Sequence, residues 1–308
     1  MTSIPPWPGE WLLPANRQLT LRASLCYEVS DRNTPGAGIA ENERFIKKIG
    51  RGDGQIASLM GLHASFTVSD ETVEKCVGIA NDAGVGCHIH VAEDAADRAD
   101  SLTKYGIPTV NRLHNLGVTG EKSIFVHCVH VDEDEMDILA STDTIVVHNP
   151  ESNMNNAVGV TKLLKLLEKG ILVGLGTDGM SSDMLAQMRT AYLLHRLDNR
   201  DPRVAFTEAP RLLLQNNAEI AARQFGIHLG EIAPGLPADL AVIDYHPPTP
   251  LTEANFLGHL IFGLVDASVD TTICRGKVLM RNKQILTLDE ERITALSREL
   301  APEVWKRL

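Results

Sequence analysis

At 308 residues with 44% apolar content, the chain can bury a substantial core, either as one α/β barrel or as two ordinary domains. A formal charge of −11 argues against nucleic acid or an anionic membrane surface as the main partner, because both reward clustered Lys and Arg, and leaves a small-molecule substrate. Five scattered cysteines, never spaced C-x-x-C, suggest neither a disulfide framework nor a thiolate zinc site and fit a reduced, cytoplasmic setting.

Residues 1–18 hold four of the fifteen prolines together with Trp7 and Trp11, and read as an irregular leader. No basic region precedes an apolar run there, and no segment approaches the roughly 18 apolar residues of a membrane span. From Leu19 onward, short β-rich runs alternate with amphipathic stretches, the pattern of βα units and a parallel sheet. The runs fall near 19–27, 55–60, 85–91, 123–127, 144–147 and 172–176. After the second run, Val73, Cys76, Val77 and Ala80 repeat at helical spacing, with Ser69 as cap and Asp70 and Glu71 at the positive helix end. Further helices are predicted near 131–140, 160–169, 183–198 and 207–225, with Gly170 and Gly226 as stops.

Beyond Gly230 the texture changes to turn residues and β-like runs, including two short strands around Arg275 and Gly276, and 289–308 reads as a charged amphipathic helix. The expected organisation is a leader (1–18), a partial barrel (19–230), a partial β-sandwich segment (231–285) and a terminal helix (286–308). A closed barrel needs eight strands and six are found, which implies truncation or an unusual closure.

His88-Ile89-His90 with Glu93 is the densest polar cluster. Residues two apart in a strand share a face, so His88 and His90 point the same way, with His90 nearer the carboxyl end. Neutral imidazole suits zinc or iron, and Glu93, just past the strand, is placed to move protons between an activated water and a leaving nitrogen. The competing reading is two buried histidines satisfied in a core. His127 closes the next run, where it could orient the water or support negative charge. His148 opens the polar loop HNPESNMNN and is a candidate for substrate contact, whereas its asparagines suit turn chemistry as readily. Asp178, in GLGTDG, stands at a strand tip and could ligate a metal and take a proton, or could simply cap the following helix. His63 could bind substrate polar atoms. Asp94, Asp97 and Asp100 look like a solvated helix face, and His195 has no evident role.

In order, GLHASFTVS, HIHVAE, FVHC, HNPESNMNN, GTDG and PGLPADLAVID resemble the amidohydrolase superfamily. With LCYEVSDRN near the start, the chain is similar to SsnA-type aminohydrolases, close to the cytosine, guanine and S-adenosylhomocysteine deaminases and the triazine chlorohydrolases. The resemblance implies a (β/α)8 barrel with one divalent metal, Zn or Fe, and a β-sandwich built from both flanks. Carried over by position, His90 and Asp178 match metal ligands, Glu93 the proton shuttle and His127 the residue holding the water; His63 and His148 match substrate-facing positions. The implied reaction is hydroxide attack on a cyclic amidine-type carbon with release of ammonia. One departure is evident: the H-x-H pair of the first barrel strand has no counterpart, since no histidine precedes His63. Two of four ligands would then be missing, metal would be held weakly or not at all, and open strand edges would be exposed. A start codon downstream of the true one or a partial gene accounts for the gap under the hydrolase reading; a catalytically inactive scaffold and a partner chain supplying the missing strands are the alternatives, and a homo-oligomer is among the expected partners.

Overall fold

The computed structural model describes residues 21–32, 34–50 and 52–306, so the leader expected over 1–18 lies outside the described residues. Each of the six β-rich runs contributes to a parallel pairing. They give β1 (Ala23–Leu25), β2 (Ile56–Ser58), β3 (Met60–Ala64), β4 (Cys87–Val91), β5 (Ile124–His127), β6 (Ile145–His148) and β7 (Val173–Leu175). β3 to β7 form one parallel sheet in sequence order, and β1 pairs in parallel with β2. The run predicted at 55–60 differs: it is longer, bends at Leu59 and becomes two strands. Leu59 N donates to Leu25 O at 3.2 Å while Met60 N donates to Gly86 O at 2.9 Å, so the chain changes partner within one residue. Gly61 permits that approach, because a Cβ there would stand 2.2 Å from Tyr27 O. His63 consequently lies inside β3 rather than beyond a strand.

Helices α1 (Ile39–Ile49), α2 (Asp70–Ala83), α3 (Ala95–Tyr105), α4 (Thr109–Asn115), α5 (Glu133–Ser141), α6 (Pro150–Asn155), α7 (Leu163–Glu168) and α8 (Met184–Asn199) connect and cover the strands. α2 forms for the reasons its sequence suggests. Ser69 Oγ accepts from Thr72 N, Gly84 closes the helix in the left-handed region, and Val73, Cys76, Val77 and Ala80 are buried. These side chains join Ile89, Val91, Phe125, Val146 and Val173 in the main core.

The stretch 208–225 departs from a plain helix. α9 (Glu208–Arg211) and α10 (Asn217–Phe225) flank a π turn at Leu212–Asn216. The turn sets consecutive asparagines against β7, the terminal strand of its sheet. Asn216 Nδ2 donates to Val173 O at 2.6 Å, and Asn217 accepts from Leu175 N at 2.9 Å and donates to Leu175 O at 3.0 Å. The expectation of unpaired edges is therefore corrected for β7 at Val173 O and at both backbone groups of Leu175, which amide side chains satisfy.

The C-terminal part forms an antiparallel sheet of β8 (Leu240–Asp244), β9 (Ser268–Cys274), β10 (Lys277–Arg281) and β11 (Gln284–Ile285), ordered β11-β10-β9-β8. Arg275 and Gly276, both at positive φ, make the tight turn between β9 and β10. The segment is not purely β, since α11 (Phe256–Phe262) interrupts it and buries Leu260 and Ile261 in the main core. α12 (Glu290–Trp305) ends the described chain. Among the described residues, no helix is long and apolar enough to cross a membrane.

Candidate active site

The carboxyl ends of β3 to β7 carry His63, His90 with Glu93, His127, His148 and Asp178. Parallel pairing in sequence order places these ends side by side, with Val91 opposite His127 in register and His148 opposite Leu175. In β4, His88 and His90 are half-buried while Cys87, Ile89 and Val91 are buried, so the two histidines share one face. Ala92, His127, Cys128 and Asp178 all take left-handed backbone conformations. For residues with a Cβ this costs about 1–2 kcal/mol each. Compensating bonds hold the turns: Ala92 N donates to Asp97 Oδ2 at 2.5 Å, Cys128 N to Val91 O at 3.0 Å, and Thr161 Oγ1 to His127 O at 3.1 Å.

At the centre, His90 Nδ1 and His127 Nε2 are 2.9 Å apart, and His127 Nε2 lies 3.5 Å from Glu93 Oε2 and 3.6 Å from Asp178 Oδ2. One donor atom from each of His90, His127 and Asp178 falls within 4.8 Å of the others. His127 is fully buried, and its Nδ1 sits 2.7 Å from Asn153 Oδ1. Because a carbonyl oxygen only accepts, Nδ1 carries the proton and the Nε2 lone pair faces the centre. Burial, then the neighbouring His127, lowers the His90 pKa, which favours a neutral imidazole. Burial pushes Asp178 up, yet bonds from Ser152 Oγ (2.6 Å) and Gly179 N (2.8 Å) and the nearby histidines bring it below the usual carboxylate value. The His90 imidazole and the Asp178 carboxylate, with His127 beside them, offer donors suited to a divalent cation.

Asp178 is not a helix cap. That position belongs to Asp183, whose carboxylate accepts from Leu185 N and Ala186 N. Glu93 accepts from Asn156 Nδ2 at 3.0 Å. His63 Nδ1 pairs with Thr67 Oγ1 at 3.0 Å, and its ring centroid is 6.2 Å from that of His90. His88 stands behind His90 with its pKa lowered to about 4, first by burial and then by His90. His148 is fully buried and turned to His195, with Nε2 atoms 3.1 Å apart; its Nδ1 is buried as well and has no hydrogen-bond partner.

Several residues play parts that sequence reasoning missed. Two asparagines of HNPESNMNN, Asn153 on α6 and Asn156 at its C-cap, bond to His127 and Glu93. His195, assigned no role, is the buried partner of His148. Asp97, read as solvated, is 3% exposed, accepts from Ala92 N and Ser65 Oγ, and has its pKa raised by burial to about 6. The left-handed turn at Ala92 draws it inward, while Asp94 of the same trio caps α3.

The Amidohydrolase family model matches residues 9–279. A 5-methylthioadenosine/S-adenosylhomocysteine deaminase of Pelotomaculum thermopropionicum is 37% identical over 87% of this chain and 63% of its own length. A 5'-deoxyadenosine deaminase of Methanothermobacter thermautotrophicus is 33% identical over 90% of this chain and 65% of its own. The chain thus spans just under two thirds of these curated relatives. Among solved structures, an adenosine deaminase from Xanthomonas campestris with bound zinc superposes with a TM-score of 0.83 at 26% identity, covering 95% of this chain and 68% of that one.

Proposed function

The chain belongs to the amidohydrolase family, and on that footing we propose that it is a metal-dependent hydrolase of non-peptide carbon–nitrogen bonds, acting as a deaminase on a cyclic amidine. The observation that carries this reading is the meeting of His90, His127 and Asp178 within 4.8 Å, beside the Glu93 carboxylate. The names of the relatives favour a 6-aminopurine nucleoside as substrate. We read the row of parallel strands as six of the eight strands of a (β/α)8 barrel, and the antiparallel sheet as part of a β-sandwich.

His90 and Asp178 would hold one divalent cation, zinc or iron. Such an ion lowers the pKa of a bound water toward neutrality. In this assignment Asp178, kept ionised by Ser152 and Gly179, takes the proton of the attacking water. His127 presents its Nε2 lone pair and accepts a hydrogen bond that fixes the water's direction of attack. Glu93, 3.5 Å from that nitrogen, carries a proton to the departing amine. His63, at the same rim, faces the substrate, whereas His148 is buried against His195 and does not reach it.

Replacing Glu93 by Gln should abolish ammonia release from adenosine or 5'-deoxyadenosine, a loss of at least about 10²-fold, while zinc remains bound. Unchanged turnover would remove Glu93 from the reaction.

A further inference from the structure

Ser152, Asn153 and Asn156 come from one short stretch, yet each touches a different member of the candidate centre. Ser152 Oγ donates to Asp178 Oδ2 at 2.6 Å, Asn153 Oδ1 accepts from His127 Nδ1 at 2.7 Å, and Asn156 Nδ2 donates to Glu93 Oε1 at 3.0 Å. Ser152 and Asn153 are buried. Positions 152, 153 and 156 share one face of α6 and its C-cap, since residues four apart lie one turn above each other. The opposite side of the helix is gripped by α8: Glu151 accepts from Gln187 Nε2 at 2.7 Å and from Thr190 Oγ1 at 3.3 Å, and its N–H donates to Gln187 Oε1 at 3.3 Å. Gln187 is itself fully buried, and Pro150 gives the helix a rigid start.

We propose that α6 is a positioning bracket that sets Asp178, His127 and Glu93 relative to one another. The inference rests on the hydrolase reading above and deepens it. The three targets arise from β7, β5 and β4, so no single strand fixes their mutual geometry. The Asp178 oxygen bonded to Ser152 is the one 3.6 Å from His127 Nε2. Asn153 selects the histidine tautomer whose lone pair points inward. Asn156 stops a partly exposed glutamate from swinging into solvent.

Because each residue acts through a different partner, their losses should differ in kind. Ser152→Ala should weaken zinc binding, measured by competition with a chromophoric chelator, by about 10–100-fold, the usual scale for a residue that orients a ligand. Ser152→Thr, which keeps the hydroxyl, should restore it. Asn153→Leu and Asn156→Ala should keep zinc affinity and KM but lower kcat about 10–100-fold, with Asn153→Asp recovering much of the first loss. Independently of metal and turnover, 15N NMR should show His127 as one Nδ1-protonated tautomer in the wild type and a mixture in Asn153→Leu. Met154→Ala, on the exposed side of the helix, should change none of these.

Equal losses of zinc, kcat and thermal stability in all three variants would mean that α6 is only a structural element, and an unchanged His127 spectrum in Asn153→Leu would also overturn the bracket. The same zinc assay on His90→Ala and Asp178→Ala separates the two levels. If those variants keep wild-type affinity, the metal centre itself is refuted. If they lose zinc while Ser152→Ala does not, only the bracket fails.

Discussion

His148 and His195 meet edge to edge in the interior, neither more than 1% exposed. A proton on either would be stranded in a site with no carboxylate bonded to the pair. Burial accordingly lowers the pKa of His195 to about 4, and burial with the neighbouring His195 holds His148 well below its ordinary value. The unfolded chain protonates His195 near pH 6.5 while the folded chain refuses that proton until about pH 4, so the unfolded state is the more protonated across that window. Stability, read as the urea midpoint, should therefore fall as pH drops from about 6.5 to about 4, and His195→Gln should flatten that slope. A slope unchanged in the variant would show that the pair does not titrate on unfolding. This pairing was not legible in the sequence, because His195 lies mid-helix, 47 positions from its partner, without a motif. His90, Glu93 and Asp178 were legible because strand ends can be counted, whereas Ser152, Asn153 and Asn156 resemble ordinary turn residues until a fold places targets beside them.

The π turn ahead of α10 shows how one element protects another. A regular helix through 207–225 would present single side chains to β7 at one-turn intervals; the wider turn brings two adjacent asparagines onto it. Gly174 completes the fit, since a Cβ there would stand 2.4 Å from Asn217 Oδ1. Asn217→Leu leaves the N–H and C=O of Leu175 without these partners and should cost about 1–3 kcal/mol in urea unfolding. A change below about 0.5 kcal/mol would mean that water already serves that edge. The six β-rich runs were readable from their β-branched residues and flanking turns. The π turn was not, because its apolar pattern matches that of an ordinary amphipathic helix, and the extension of the second run to Ala64 depends on the Gly61 contact with Tyr27, which is tertiary.

Across the whole molecule, parallel pairing in sequence order turns residues distant in the chain into neighbours. His90 and Asp178 come from strands separated by two others, yet both stand beside His127. The order of the motifs already implied a common rim; the tautomer of His127, the burial of His148 and the α8 grip on α6 required the packed structure. The net charge of −11 and the partly exposed carboxylates of Glu93 and Asp178 disfavour a polyanion at this rim. The proposed chemistry requires one shared metal position, which zinc-edge anomalous diffraction from crystals of this chain grown with zinc addresses directly. A single strong peak in contact with His90 and Asp178, next to Glu93 and His127, is expected. Zinc-saturated crystals with no peak there, or with zinc only on other side chains, would contradict it.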